Sequence, residues 1–151
     1  MTTNAMESER IETRAVTFAE AYFESIGWAV KNVSRVRGNH AGYDLFLEKD
    51  GEKLMVEIKG CSRLFQIPDL YGSEIDAATQ MLIADELCVV YFLPGEDDPQ
   101  LARIPRSALD PQYIVPKLGY RISGRFKNER IMKQFMIDPG VRDEGSETRR
   151  R

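Results

Sequence analysis

Asp44, Glu57 and Lys59 are the residues whose types and spacing could do chemistry. They lie in YDLFLEKDGEKLMVEIKG, residues 43–60. Asp50-Gly51 is a strong two-residue hairpin signal. With that turn, Lys49 faces Glu52, Leu47 faces Leu54, Leu45 faces Val56 and Asp44 faces Glu57. Side chains alternate along a strand, so Leu45, Leu47, Leu54, Val56 and Ile58 form one apolar face that must be buried. Asp44, Phe46, Met55, Glu57 and Lys59 share the other. A one-residue slip would break the apolar face, so the pattern itself fixes the register.

Opposed carboxylates on β-carbons roughly 5 Å apart repel. A hard divalent cation would cancel that cost. Mg²⁺ accepts one or two carboxylates and keeps other positions for water and phosphate oxygens, and Mn²⁺ is expected to substitute for it. Asp44 and Glu57 would be the ligands, with the backbone carbonyl of Ile58 as a further oxygen. Lys59 would lie beside the metal, where it could hold or activate a water or stabilise charge on a phosphate. Two nearby carboxylates raise a lysine pKa, which argues against a free base before metal binds. The plain alternative is a solvated strand face, as at Lys49, Glu52 and Lys53; Phe46 and Met55 weaken it for the three site residues.

The surrounding elements follow from periodicity and breakers. Ile11, Ala15, Phe18, Tyr22 and Ile26 recur at helical spacing between about Glu9 and Gly27, with Gly27 as the stop. WAVKNV reads as a first strand and SRVRGNHAG as a basic loop. After the hairpin, CSRLFQIPDLYG is irregular, broken by Pro68 and Gly72. Ser73 and Asp76 fit a capping box, predicting a helix through about Glu86. LCVVYFL reads as a central strand covered on both faces, LARIP as an edge strand and YIVP as another strand. From Lys117 to Gln134 there are six basic residues and one acid. The expected organisation is one domain over residues 9–137, with flexible tails at 1–8 and 138–151.

Composition bounds the function classes. The 151 residues are 42% hydrophobic and 30% charged, an ordinary globular balance. A formal charge of -3 argues against a non-specific nucleic-acid coat but allows a local basic groove. Cys61 and Cys88 form neither a disulfide framework nor a metal spacing, and Cys88 is expected to be buried. With no apolar span or signal core, a cytoplasmic protein without a membrane partner is expected, and no organic cofactor.

The motif resembles the D…(E/D)xK signature of the PD-(D/E)xK nuclease superfamily, and is nearest in look to Mrr-like and DUF3883-like members. The resemblance spans approximately residues 15–93 and implies a restriction-endonuclease-like α/β fold: a central mixed sheet flanked by helices, in αβββαβ order. It implies Asp44 and Glu57 as metal ligands, Lys59 as the catalytic lysine and Gly42 as the glycine upstream of the first acid. In SEIDAATQMLIADELCVVYFL, Glu74 and Ala84 occupy the Glu and Ala places of the helix and strand that follow the site. Many members carry a first-helix glutamate at a place that falls here near Val16, which is not acidic. Glu20 and Glu12 lie one turn to either side, and Glu20, nearer the site end, is the expected substitute.

The implied activity is Mg²⁺-dependent hydrolysis of DNA phosphodiesters, endonuclease rather than exonuclease. Arg35, Arg37, His40, Arg63, Arg121, Arg125 and Lys127 are the candidate nucleic-acid contacts, His40 being the one histidine. Cutting both strands of a duplex would call for a homodimer. The rival reading is a non-catalytic nucleic-acid- or protein-binding module on the same fold, with a degenerate site.

Overall fold

The computed structural model describes residues 3–34, 41–116 and 120–138. Helix α1 (Thr3–Ser25) begins ahead of the apolar periodicity that starts near Ile11. Its end is a full Schellman motif: Gly27 takes φ +94°, and the Gly27 and Trp28 amides donate to the Glu24 and Phe23 carbonyls. Strand β1 (Ala29–Asn32) follows, then β2 (Leu45–Lys49) and β3 (Glu52–Cys61). Asp50 and Gly51 both have positive φ, the geometry of a type I′ turn. The register is the expected one, with Leu45 opposite Val56, Leu47 opposite Leu54 and Lys49 opposite Glu52.

The expected helix over residues 73–86 is not formed. A single 3-10 turn (Gly72–Glu74) leads instead into a small hairpin of β4 (Ile75–Asp76) and β5 (Met81–Leu82). The cause is Asp76. Its carboxylate accepts from the Ala78 and Thr79 amides at 2.9 and 3.0 Å, and its carbonyl accepts from Gln80, which has positive φ. Side-chain bonds of this kind compete with helical ones. Of Ile75, Ala78 and Leu82, which would share one side of that helix, Ile75 and Leu82 are buried and face each other across the hairpin, while Ala78 is exposed in its turn.

Strand β6 (Glu86–Tyr91) runs parallel to β3, and β7 (Gln100–Pro105) runs antiparallel to β6. The hairpin of β8 (Ile114–Pro116) and β9 (Tyr120–Ile122), the short helix α2 (Glu129–Met132) and β10 (Met136–Ile137) complete the described residues. The main sheet is mixed and six-stranded, in the order β1-β2-β3-β6-β7-β10. The LARIP strand is therefore not an edge, because β10 pairs outside it.

Two apolar layers sandwich the sheet. Ala15, Ala19, Tyr22 and Phe23 of α1 cover Leu45, Leu47, Val56, Ile58, Cys88 and Val90 on one face. Gly60 permits this approach: a β-carbon there would lie 2.6 Å from Ile11 Cγ2 and 2.8 Å from its carbonyl oxygen. On the other face Leu87, Val89, Tyr91 and Ile104 pack under Leu70, Ile75, Ile122, Phe126 and Met132. Helices thus flank both faces, the second contributing only one turn. Most of that layer is irregular chain and small hairpins, and the basic C-terminal segment belongs to it.

Among the described residues no helix is long and apolar enough to cross a membrane. Cys61 and Cys88 are free thiols, Cys88 fully buried.

Candidate active site

Asp44 sits just before β2 and is fixed through its backbone and one carboxylate oxygen. Its amide donates to the Val56 carbonyl, its carbonyl accepts from Val33 and Ser34, and its Oδ2 accepts from the Ile58 amide at 2.9 Å. The first acid is thereby locked to the strand that carries the second. Val56 and Ile58 point into the α1 layer, so alternation sends Glu57 and Lys59 to the opposite face. Both are almost fully enclosed, at 4% and 2% exposure, and with Glu74 at 6% they are the buried charged residues among those described.

Glu74 is the residue that sequence reasoning did not place in the site. Lys59 Nζ donates to Glu74 Oε1 at 2.8 Å and lies 3.3 Å from Glu57 Oε1. Glu74 Oε2 accepts from the Tyr71 amide at 2.8 Å, and the Tyr71 ring stands 4.8 Å from Lys59 Nζ. The resemblance puts Glu74 on a following helix, whereas in the structure it ends a 3-10 turn ahead of the β4–β5 hairpin. An irregular segment has no periodicity from which a side chain's direction can be read.

The electrostatics are unbalanced. Burial pushes Glu57 up to about 10, and the charges of Asp44 and Glu74 add to the rise. Burial raises Asp44 as well, against the lowering effect of the Ile58 amide. For Lys59, burial works downward but the charges of Glu57 and Glu74 outweigh it, so its pKa is raised. The expected elevation of the lysine is found; the acids responsible are Glu57 and Glu74.

These side chains open into a cavity of about 400 Å³. Thr13, Val16 and Thr17 of α1 line it, together with Asn32 and Ser34. The first-helix acid at the cavity is Glu12, not Glu20. Glu20 instead accepts from Asn32 Nδ2 at 3.1 Å, one residue removed from the cavity. Glu12 is one turn before Val16, and its charge is felt at both Asp44 and Lys59.

No protein-family model matches the chain, and no curated protein matches it. Among solved structures it is similar to Hjc, a Holliday junction resolvase from the archaeal hyperthermophile Archaeoglobus fulgidus. Identity is 16%, covering 82% of this chain and 88% of that chain, with a TM-score of 0.46. A likeness at this level assigns no residue a role.

Among the described residues, no group of three or more His, Cys, Asp or Glu is arranged as a metal cluster. The chemistry of the donor set nevertheless fits one hard cation held by few protein ligands. Glu57 is a buried and Asp44 a half-buried oxygen donor, and burial raises the pKa of both. Ile58, whose carbonyl is the expected third oxygen, also lines the cavity.

Of the expected nucleic-acid contacts, Arg35, Arg37 and His40 lie outside the described residues. Arg63, Arg121 and Arg125 are exposed and Lys127 is half-buried; none of the four lines the cavity. Arg121 is nonetheless tied to it through the backbone. Its neighbour Tyr120 exchanges two amide–carbonyl bonds with Leu70, the residue before Tyr71. Gln80, with positive φ, closes the β4–β5 turn just before β5.

Proposed function

We propose that this chain is a divalent-metal-dependent nuclease of the PD-(D/E)xK type that hydrolyses DNA phosphodiesters, cutting internally. The observation that carries the reading is the gathering of Asp44, Glu57 and Lys59 at one cavity, whose lining acids outnumber its lysine. Asp44, Glu57 and the Ile58 carbonyl would hold Mg²⁺ or Mn²⁺, and Glu12 stands where a first-helix acid would assist. The ion, when bound, would supply Lewis acidity toward a non-bridging phosphate oxygen. Lys59, whose pKa is raised, acts as an ammonium that orients water and stabilises charge on the phosphate, not as a resting base. Arg63, Arg121, Arg125 and Lys127 would meet the phosphate backbone outside the cavity. A homodimer would place two such cavities on opposite strands of a duplex.

One observation favours a second reading, a binding module with a silent site: Lys59 is already paired with Glu57 and Glu74. The test is incubation of supercoiled, linear, single-stranded and branched DNA with Mg²⁺, Mn²⁺ or chelator, using Lys59→Ala purified identically as the control. Metal-dependent cutting that disappears in Lys59→Ala supports the nuclease. Intact DNA throughout, or cutting retained by the variant, supports the binding module.

A further inference from the structure

Lys59 poses a problem that Asp44 and Glu57 do not solve. An ammonium this enclosed must be held by something, and a Glu57 committed to a cation could no longer hold it. Glu74 is closer to Nζ than Glu57 is, at 2.8 against 3.3 Å. Its second oxygen is fixed separately by the Tyr71 amide. The segment bearing it is braced from three further directions. Its carbonyl accepts from the Ile83 amide, Leu70 is bonded both ways to Tyr120, and the Ser73 carbonyl is pressed against Gly42. A β-carbon at Gly42 would lie 2.6 Å from that carbonyl oxygen, and Gly42 has positive φ, so only glycine fits without strain. None of these braces involves Lys59, Asp44 or Glu57. Glu74 is held in place whether or not those residues are engaged.

We infer that Glu74 is a positioning residue for Lys59, holding its ammonium at the cavity while Glu57 is free to bind a cation. The inference rests on the nuclease reading for its purpose, though not for its geometry. Tyr71 completes the arrangement: its amide fixes the Glu74 carboxylate and its exposed ring stands beside the ammonium. The substrate side of the lysine is thus bounded by an aromatic ring, while its inner side is bounded by two acids.

The test reads the lysine directly. In the full-length chain, the Lys59 side-chain ammonium is followed by ¹H–¹⁵N NMR and assigned by its loss in Lys59→Met. A slowly exchanging signal is expected in the wild-type chain. Glu74→Gln should speed its exchange by about tenfold or more, the factor set by one charge-assisted hydrogen bond. Glu57→Gln should leave it protected, and Glu74→Asp should restore part of the protection. Saturating Mg²⁺ should leave the wild-type signal in place, a measurement that needs no variant of Glu74. The inference is overturned by a Lys59 signal that is unprotected in the wild type, unchanged in Glu74→Gln, or lost equally in Glu57→Gln. Dispersal of the signal on adding Mg²⁺ would also overturn it. A chain that binds no Mg²⁺ and cuts no DNA, yet loses the signal on Glu74→Gln, would refute the nuclease reading and leave the Glu74–Lys59 assignment standing.

Discussion

Two ion clusters lie on opposite faces of the same sheet, one half-buried and one buried, and they are built to different ends. Under α1, Arg103 donates twice to Glu86, both bonds at 2.8 Å, with its guanidinium 5.0 Å from the centre of the Phe23 ring. One cation meets one carboxylate in fork geometry, and every charge has its counterpart. On the other face one lysine meets Glu57 and Glu74, with Asp44 close behind, and Glu57 is driven up to about 10. A fold that needed only a balanced ion pair against the sheet already has one in Arg103–Glu86. The second cluster has more carboxyl groups than cations, which drives Glu57 to hold its proton and suits an added cation.

The comparison is broken most sharply by neutralising one acid from each cluster. Glu57→Gln should lower metal-dependent DNA cleavage by about a thousandfold or more, the scale of several kcal/mol of metal-derived stabilisation. Glu86→Gln should leave the cleavage rate of the folded enzyme within about twofold, since Glu86 lies outside the cavity. Stability should respond the other way round. Arg103→Met leaves the half-buried Glu86 carboxylate without its partner and should cost about 1–3 kcal/mol, read from denaturant unfolding.

pH sharpens the same contrast. The folded-state pKa of Glu57 lies above its unfolded value of 4.5, so the fold favours the protonated form. Its contribution to stability is whole below pH 4.5 and is lost as pH rises toward about 10. Asp44 shifts in the same direction, while Lys59, raised from 10.5, keeps its charge throughout this window. The melting temperature of the metal-free protein should therefore fall across it. Glu57→Gln should flatten that fall, and the Arg103 variant should retain it.

Smaller effects mark the scaffold and the cavity rim. Gly60→Ala drives a β-carbon against Ile11 and Ala15 and should cost about 1–3 kcal/mol by overpacking the α1 interface. Glu12→Gln should slow cleavage by about tenfold, as a charge at the cavity, whereas Glu20→Gln should change it by less than about twofold. Equal effects of the two would remove the distinction between them.

What was legible in the sequence follows the same division. The α1 layer was readable because each of its elements is periodic: apolar spacing for the helix, strict alternation for β2 and β3, a Gly27 stop and an Asp-Gly turn. From these the register and the meeting of Asp44 with the Glu57–Lys59 strand could be read in advance. The opposite layer is built from residues 62–85 and the small β8–β9 and α2 elements, where single side chains decide the path. Asp76 turns a helical-looking pattern into a hairpin by binding two amides. That turn in the chain hid Glu74, since a residue's direction in an irregular segment depends on distant partners such as Gly42 and Tyr120. The choice between Glu12 and Glu20 likewise depended on how α1 crosses the end of β3, which periodicity alone does not give.

The central claim is that the unbalanced cluster is a divalent-cation site, and calorimetric titration of the metal-free protein with Mg²⁺ at pH 7 and pH 9 tests it most directly. Because Glu57 must give up its proton to bind a metal, uptake should release protons and be tighter at pH 9, and should vanish in Glu57→Gln. Absence of Mg²⁺ binding, or binding that Glu57→Gln retains unchanged, would contradict the account.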